Sequence, residues 1–222
     1  MPGTPKTPQN NPPGPQDKRI FGVLPNYRTA GAMAVYSPIT PGQKFKIAAQ
    51  DSIGWNIALL AGAFAGLAQI EASEPAFGQG VAGYARYFGT AYADQFIGNF
   101  MTEAIFPTML HEDPRYFRIE SGSAKHRIGG AVAQIFWTRK DKGGHEFNYS
   151  EIVGNAVGTA ISNAYYPNTR DVSDNLTKWG TAVGTDLVSN ILKEYWPDFK
   201  RKFLHKDHNE PNSSDSLSPA KP

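Results

Sequence analysis

Apolar side chains recur at helical spacing through the middle of this chain. At about 100° per residue, Tyr92, Phe96, Ile97, Phe100, Met101 and Ala104 share one face, which predicts an amphipathic helix from residues 80–84 to Pro107 or slightly beyond. Val183, Leu187, Val188, Ile191, Leu192 and Tyr195 form the same stripe in a second segment. Residues 180–194 align with 89–103 without a gap: Gly, Thr and Ala open both, Asn99 falls on Asn190, and Glu103 on Glu194. Two readings follow. Either an internal repeat supplies helices that face each other or line one cleft, or two Gly/Ala-rich amphipathic helices simply look alike. Gly89/Ala93 and Gly180/Gly184 lie within the stripes, where small side chains would let another helix approach closely.

Punctuation sets the remaining elements. Residues 18–30 read as extended with a turn at Pro25-Asn26, and Thr40-Pro41 as an N-cap followed by proline at the first helical position. Pro75 and Gly78 break the pattern before the central helix. Residues 121–125 are a polar loop, 127–136 a short helix or strand, and 136–147, with Gly143-Gly144 between aromatic arms, a hairpin. Asn148 and Glu151 form a capping pair for a helix over 150–166 that Pro167 stops. The last long helix opens at Asp171 or Ser173 and ends near Trp196-Pro197. An apolar–small–Asn–apolar signature recurs around Asn99, Asn155, Asn163 and Asn190. Asparagine is a poor helix former, so these positions predict amide hydrogen bonds at helix crossings, or else a polar cleft lining.

The most hydrophobic stretch, 52–70, holds nineteen residues without a charge and the pair Gly62/Gly66. It reads either as a buried helix packed tightly in a bundle or as a helix inserted in or lying on a membrane. The expected architecture is a mainly α-helical, Gly/Ala-rich bundle of about five to six helices with a hairpin-like insertion. It comprises a disordered Pro/Gln-rich segment at 1–17, one helical domain at 18–206 and a disordered tail at 207–222.

Composition mostly excludes. The 222 residues contain no cysteine, which removes disulfides, thiolate metal sites and a cysteine nucleophile. The net charge is +2 but unevenly spread: residues 1–50 carry six basic and one acidic residue, and 51–124 three and eight. No basic arm or face interleaved with aromatics points to nucleic acid. No apolar signal core precedes the Pro/Gln segment, yet such a segment commonly follows a cleaved export signal. A start as given and a start within a longer precursor both stay open.

The densest ionisable knot is 111–116, HEDPRY. His111 is a candidate general base with Asp94 or Glu103 as carboxylate partner and Arg115 beside it. Alternatively, Asp113-Pro114 is a helix N-cap, with arginines balancing neighbouring acids. No metal or cofactor is expected. His205 and His208 share helical spacing only in the tail, Glu71 and Glu74 lack the Glu-x-x-His companion of di-iron bundles, and no phosphate-loop lysine or Gly-x-Ser-x-Gly elbow occurs. At 196–206, Trp196, Lys200, Arg201 and Lys202 form a basic-aromatic segment suited to an anionic membrane surface, or to a solvated helix end.

The phrases FGVLPNYRTA from Phe21, FGQGVAGYARYFGTAYADQFIGNFMTEAIFPTMLHEDPRYFR from Phe77, NAYYPNTR from Asn163 and EYWPDFKRKF from Glu194 resemble a family of uncharacterised bacterial proteins associated with acidobacteria-type genomes. The resemblance covers roughly 18–203 and implies no activity and no site residues. It implies export, since such proteins often begin with a signal and a Pro/Gln-rich spacer, which this sequence lacks in part. The leading expectation is therefore a non-enzymatic cell-envelope protein, structural or binding, associated with a membrane through 52–70 or 196–206. Alternatives are a hydrolase on a lipid or envelope substrate using His111, and a soluble binder of a small molecule in an apolar pocket beside Tyr92 and Phe96.

Overall fold

The chain folds into a mainly α-helical bundle. The computed structural model describes residues 19–20, 24–25, 27–30 and 36–203; both segments expected to be disordered lie outside them, as do His205 and His208. The order is β1 (Arg19–Ile20), β2 (Leu24–Pro25), β3 (Thr29–Ala30), α1 (Pro41–Ser52), α2 (Trp55–Ile70), α3 (Gly80–Phe100), a π-helical turn (Met101–Ile105), α4 (Phe106–Leu110), β4 (Glu112–Asp113), β5 (Tyr116–Phe117), α5 (Ala124–Phe136), β6 (Trp137–Lys140), β7 (His145–Phe147), α6 (Tyr149–Ser162) and α7 (Val172–Phe203).

The caps act as the sequence predicts. Thr40 accepts from Gln43 N, and Gln43 returns the bond to the Thr40 backbone, a complete capping box. Asn148 Oδ1 accepts from Glu151 N at 3.1 Å. The expected hairpin is β6–β7, closed through Gly143 and Gly144, both at positive φ where a side chain would be strained.

Two expectations change, and one strand pairing is new. No helix starts at Asp113-Pro114: Glu112–Asp113 instead adds β4 to the hairpin, antiparallel to β6. Tyr116–Phe117 pairs in parallel with Thr29–Ala30, pinning the N-terminal segment to the far side of the chain. Pro197 does not end the last helix but sits inside α7. Arg127 of α5 holds the turn on both sides of it, donating to the Glu194 carbonyl at 2.7 Å and pairing with Asp198 at 2.5 Å. Upstream, the turn before Pro107 widens to π geometry, with Phe106 N bonded to Met101 O. A proline can follow there without disrupting the helix.

The close helix crossing also lies elsewhere than expected. A Cβ on Gly89, Gly180 or Gly184 would meet nothing within 4 Å. The tight approach is between α3 with its π turn and α6, where a Gly158 Cβ would stand 3.7 Å from Gly98 Cα and a Gly154 Cβ 3.2 Å from Met101 C. α2 lies along α3, with Tyr84 Oη donating to Gly62 O at 3.1 Å.

The division of polarity is unusual. An apolar core gathers Ala65, Phe77 and Tyr87, with Phe88 and Tyr166 against it. Yet the largest fully buried side chains include Lys44, Glu74, Glu112, Glu151, Glu194 and Asp113. Meanwhile Trp55, Leu59, Phe64, Leu67 and Ile70 of α2 are more than half exposed. The bundle carries much of its charge inside and much of its bulkiest apolar surface outside, the reverse of the usual division.

Two glycines separate packing from propensity. An alanine Cβ at Gly83 would lie 2.3 Å from Gly78 O, a backbone atom that cannot step aside. Gly83→Ala is expected to cost about 1–3 kcal/mol, and Gly89→Ala to stabilise by up to about 1 kcal/mol. Thermal unfolding followed by circular dichroism should show the two midpoints moving in opposite directions.

Candidate functional site

A cleft of about 610 Å³ opens between α2, α3, α6 and α7. Beneath it lies a buried ionic cluster, built around a side chain from near the N-terminus. Turn residue Arg28, 7% exposed, inserts between the π turn and α6, donating to Glu151 Oε2 at 2.9 Å and to Glu103 Oε1 at 3.4 Å. Its Nε is bonded to the Pro114 carbonyl. Asp51 from the end of α1, Lys193 from α7 and Asp186 from α7 complete the electrostatic set.

Burial dominates the ionisation of this cluster. It pushes Glu103 up to about 8, with Asp51 adding to the effect and Arg28 and Lys193 opposing it. Glu151 is also raised to about 8, by burial and then by neighbouring Asp186, against Arg28. Asp51 rises to about 6 through burial, offset by Lys193 and Arg28. Burial and the neighbouring Arg28 lower Lys193. Burial opposes the charge of Arg28 as well, but Glu151 and Glu103 outweigh it and hold the guanidinium more firmly protonated than usual. Glu103 Oε2 and Asp51 Oδ1 are buried without a hydrogen-bond partner, so no hydrogen bond at these oxygens offsets the burial that raises both groups.

Asn155 joins this layer to the cleft. Its Nδ2 donates to Glu151 O at 3.0 Å, Glu151 Oε1 at 3.3 Å and Asp186 Oδ2 at 3.2 Å. Higher in the cleft, Asp94 accepts from Tyr165 and Tyr166, at 2.5 and 2.7 Å, and burial still raises it above the ordinary carboxylate range. Glu74 is bonded to Thr169 Oγ1 and, at 3.2 Å, to Asn168 N. Lys178 lies 4.3 Å from the centre of the Tyr166 ring and donates to Thr169 O.

The predicted site residues disperse across this frame. His111 is exposed at the end of α4 in the left-handed conformation, and it has no hydrogen bond or ion pair with Asp94 or Glu103, which have the partners given above. Arg115 pairs with Asp113 at 2.7 Å and donates to Ser37 O. It lines a separate cleft of about 440 Å³ together with Arg118, Arg139 and Asn190. Of the four asparagines, Asn155 and Asn163 make inter-element amide bonds, the latter to Asn175 at 2.8 Å, whereas Asn99 lines the larger cleft beside Gln95. Trp196 is buried and stacked on Phe199, so it is not available to a membrane surface. Arg201 is exposed and paired with Asp198, Lys202 leans on Phe203, and Lys200 lies on the same last turns of α7. Tyr92 and Phe96 do not flank the cleft; Tyr92 donates to Ser52 O, and Phe96 stacks on Phe100. The cleft is lined instead by the adjoining face of α3, Ala91, Asp94, Gln95 and Gly98, opposite α7.

Arg28, Asp51, Asp186 and Lys193 were not singled out by the sequence. In the sequence Glu151 stands only as a capping partner of Asn148. A usable signal was the alignment of Glu103 with Glu194, because each proves to be a buried glutamate holding an arginine. Glu194 pairs with Arg127 at 2.7 Å and also accepts from Tyr116, Ile119 N and Glu120 N. Burial alone would raise its pKa, but these bonds together hold it below the ordinary value.

The raised carboxyls fix a pH dependence. Because Glu103 and Glu151 bind protons more tightly folded than unfolded, their contribution is full below about pH 4.5 and is lost as pH rises through about 8. Stability should therefore fall between pH 5 and 8, and Glu151→Gln should flatten that decline in thermal melts. Arg28→Ala should cost about 3–5 kcal/mol, since it removes three buried charge-assisted hydrogen bonds, to Glu151, Glu103 and the Pro114 carbonyl.

No protein family, curated protein or solved structure matches the chain.

Proposed function

We propose that the chain is a non-enzymatic, membrane-associated cell-envelope protein that lies on lipid through α2. The observation that carries this reading is the outward face of that helix. Ile57, Ala61 and Ala65 point inward and are buried, while Trp55, Leu59, Phe64, Leu67 and Ile70 point outward. Ile53 before the helix is 64% exposed, and Val81 on the first turn of α3 is 88% exposed. Apart from Asn56 and Gln69 the helix is apolar on its outward as well as its inward face, and such a face needs an apolar medium. Protein interfaces, taken whole, are only about as apolar as ordinary surface, whereas no charge occurs anywhere between residues 52 and 70.

Lying on the membrane suits this helix better than crossing it. Among the described residues no single helix is long and apolar enough to cross. Pro41–Ser52 and Ile57–Ile70 reach that standard only together, and they are bent by 53°. The hydrolase alternative gains no support, because His111 is not assembled with either carboxylate.

The test is flotation of the full chain with neutral phosphatidylcholine vesicles and with vesicles containing anionic phosphatidylglycerol. Binding to both that resists high salt is expected. Burying an exposed Leu or Ile is worth about 1.5–3 kcal/mol, so Leu59→Asp with Ile70→Asp should reduce binding at least tenfold. Neutralising Lys200, Arg201 and Lys202 should leave it intact. Flotation only with anionic vesicles and released by salt would overturn the reading in favour of the basic segment. A dimer in light scattering, abolished by the α2 pair without any vesicle binding, would assign the face to self-association instead.

A further inference from the structure

We propose that the cleft between α2, α3, α6 and α7 binds an amphiphile with a primary ammonium head and an apolar tail. The hydrogen-bonding groups the cleft has left to offer select this ligand independently of the membrane reading.

One wall is apolar, formed by Phe64, Leu67 and Ala68 of α2 with Ala91 of α3. Most hydroxyls of the facing polar wall have already used their protons. Along α7, Thr177, Thr181 and Thr185 each donate to the carbonyl four residues back, at 2.8–2.9 Å. Thr102 donates to Gly98 O and Ser162 to Thr159 O, while Tyr166 donates to Asp94. These hydroxyls present lone pairs to the cleft, not hydrogens.

Charge points the same way. The lining includes the carboxylates of Glu71, Glu74, Asp94 and Asp186 and one cation, Lys178, which is engaged with Thr169 O and the Tyr166 ring. At the base, Asn155 lines the cleft and is only 5% exposed. Three acceptors fix its amide nitrogen, so its orientation is determined, and its Oδ1 receives no hydrogen bond. This acceptor is open to the cleft beside the Asp186 carboxylate, and a donor carrying positive charge matches both. A primary ammonium supplies three N–H donors and the charge together, and an alkyl tail matches the α2 wall. The volume, about 610 Å³, falls in the range of small-molecule sites.

Four probes sharing one tail separate the contributions: octylammonium, octyltrimethylammonium, octanoate and 1-octanol, titrated calorimetrically into the full chain below their aggregation thresholds. Octylammonium is expected to bind one to one, at least tenfold more tightly than the other three, since the trimethyl head keeps the charge but has no N–H. Asp186→Asn should weaken octylammonium at least tenfold while leaving octanol unchanged. Ala182→Phe, which fills the cleft from α7, should abolish binding of all four even if Asp186→Asn perturbs folding. Leu59→Asp with Ile70→Asp should leave octylammonium binding unaltered, because neither residue lines the cleft. Equal affinity for octanoate or octyltrimethylammonium, binding that survives Ala182→Phe, or binding lost in the α2 pair would each overturn the proposal.

Discussion

The arrangement depends on one buried cation. Arg28 enters the interior and is met by Glu103 from the π turn, Glu151 from α6 and the Pro114 carbonyl before β5. These groups lie 75, 123 and 86 residues away in sequence. Taking a guanidinium out of water is costly unless carboxylates replace its hydration, so the N-terminal turn is held wherever those acids converge. The β3–β5 ladder beside it, with Tyr116 N bonded to Arg28 O at 2.8 Å, then has little freedom of register. A second centre follows the same logic at the other end, where Arg127 binds Glu194 and Asp198 and carries α7 past Pro197.

Spending the interior on ions has a consequence outside. With Lys44, Glu112, Asp113 and Glu151 buried, the apolar side chains of α2 have too little core to occupy, and alanines face inward while Trp55, Leu59 and Ile70 face out. A lipid surface would resolve that inversion without demanding shape complementarity. The larger cleft lies at the edge of this face, since Phe64 and Leu67 belong to both. Its acceptor-rich floor is contiguous with the ionic cluster through Asn155 and Asp186.

Local chemistry was legible wherever it is settled within a few residues. The Thr40 box, the Asn148 cap, the Gly143-Gly144 turn and the helical stripes all depend on neighbours in sequence, and each appears as predicted. The departures arise where a distant group intervened. Pro197 reads as a stop until Arg127 is placed against it, and Asp113-Pro114 reads as a cap until β6 offers a ladder to pair with. The glycines chosen from the aligned stripes face open space, while the true crossing uses Gly98, Gly154 and Gly158, which carried the same small-residue signal.

The sequence by itself determined a mainly helical chain with a hairpin at residues 136–147, an uncharged apolar helix near residues 52–70, and no cysteine chemistry, because periodicity, capping and composition are local or additive. Only the tertiary structure decided which charges are buried together, which face of α2 is left uncovered, and that His111 stands apart from Asp94 and Glu103. A carboxylate on an amphipathic helix looks the same in sequence whether it meets water or an arginine. Burial and partnership, which set its ionisation and its role, exist only once the helices have packed.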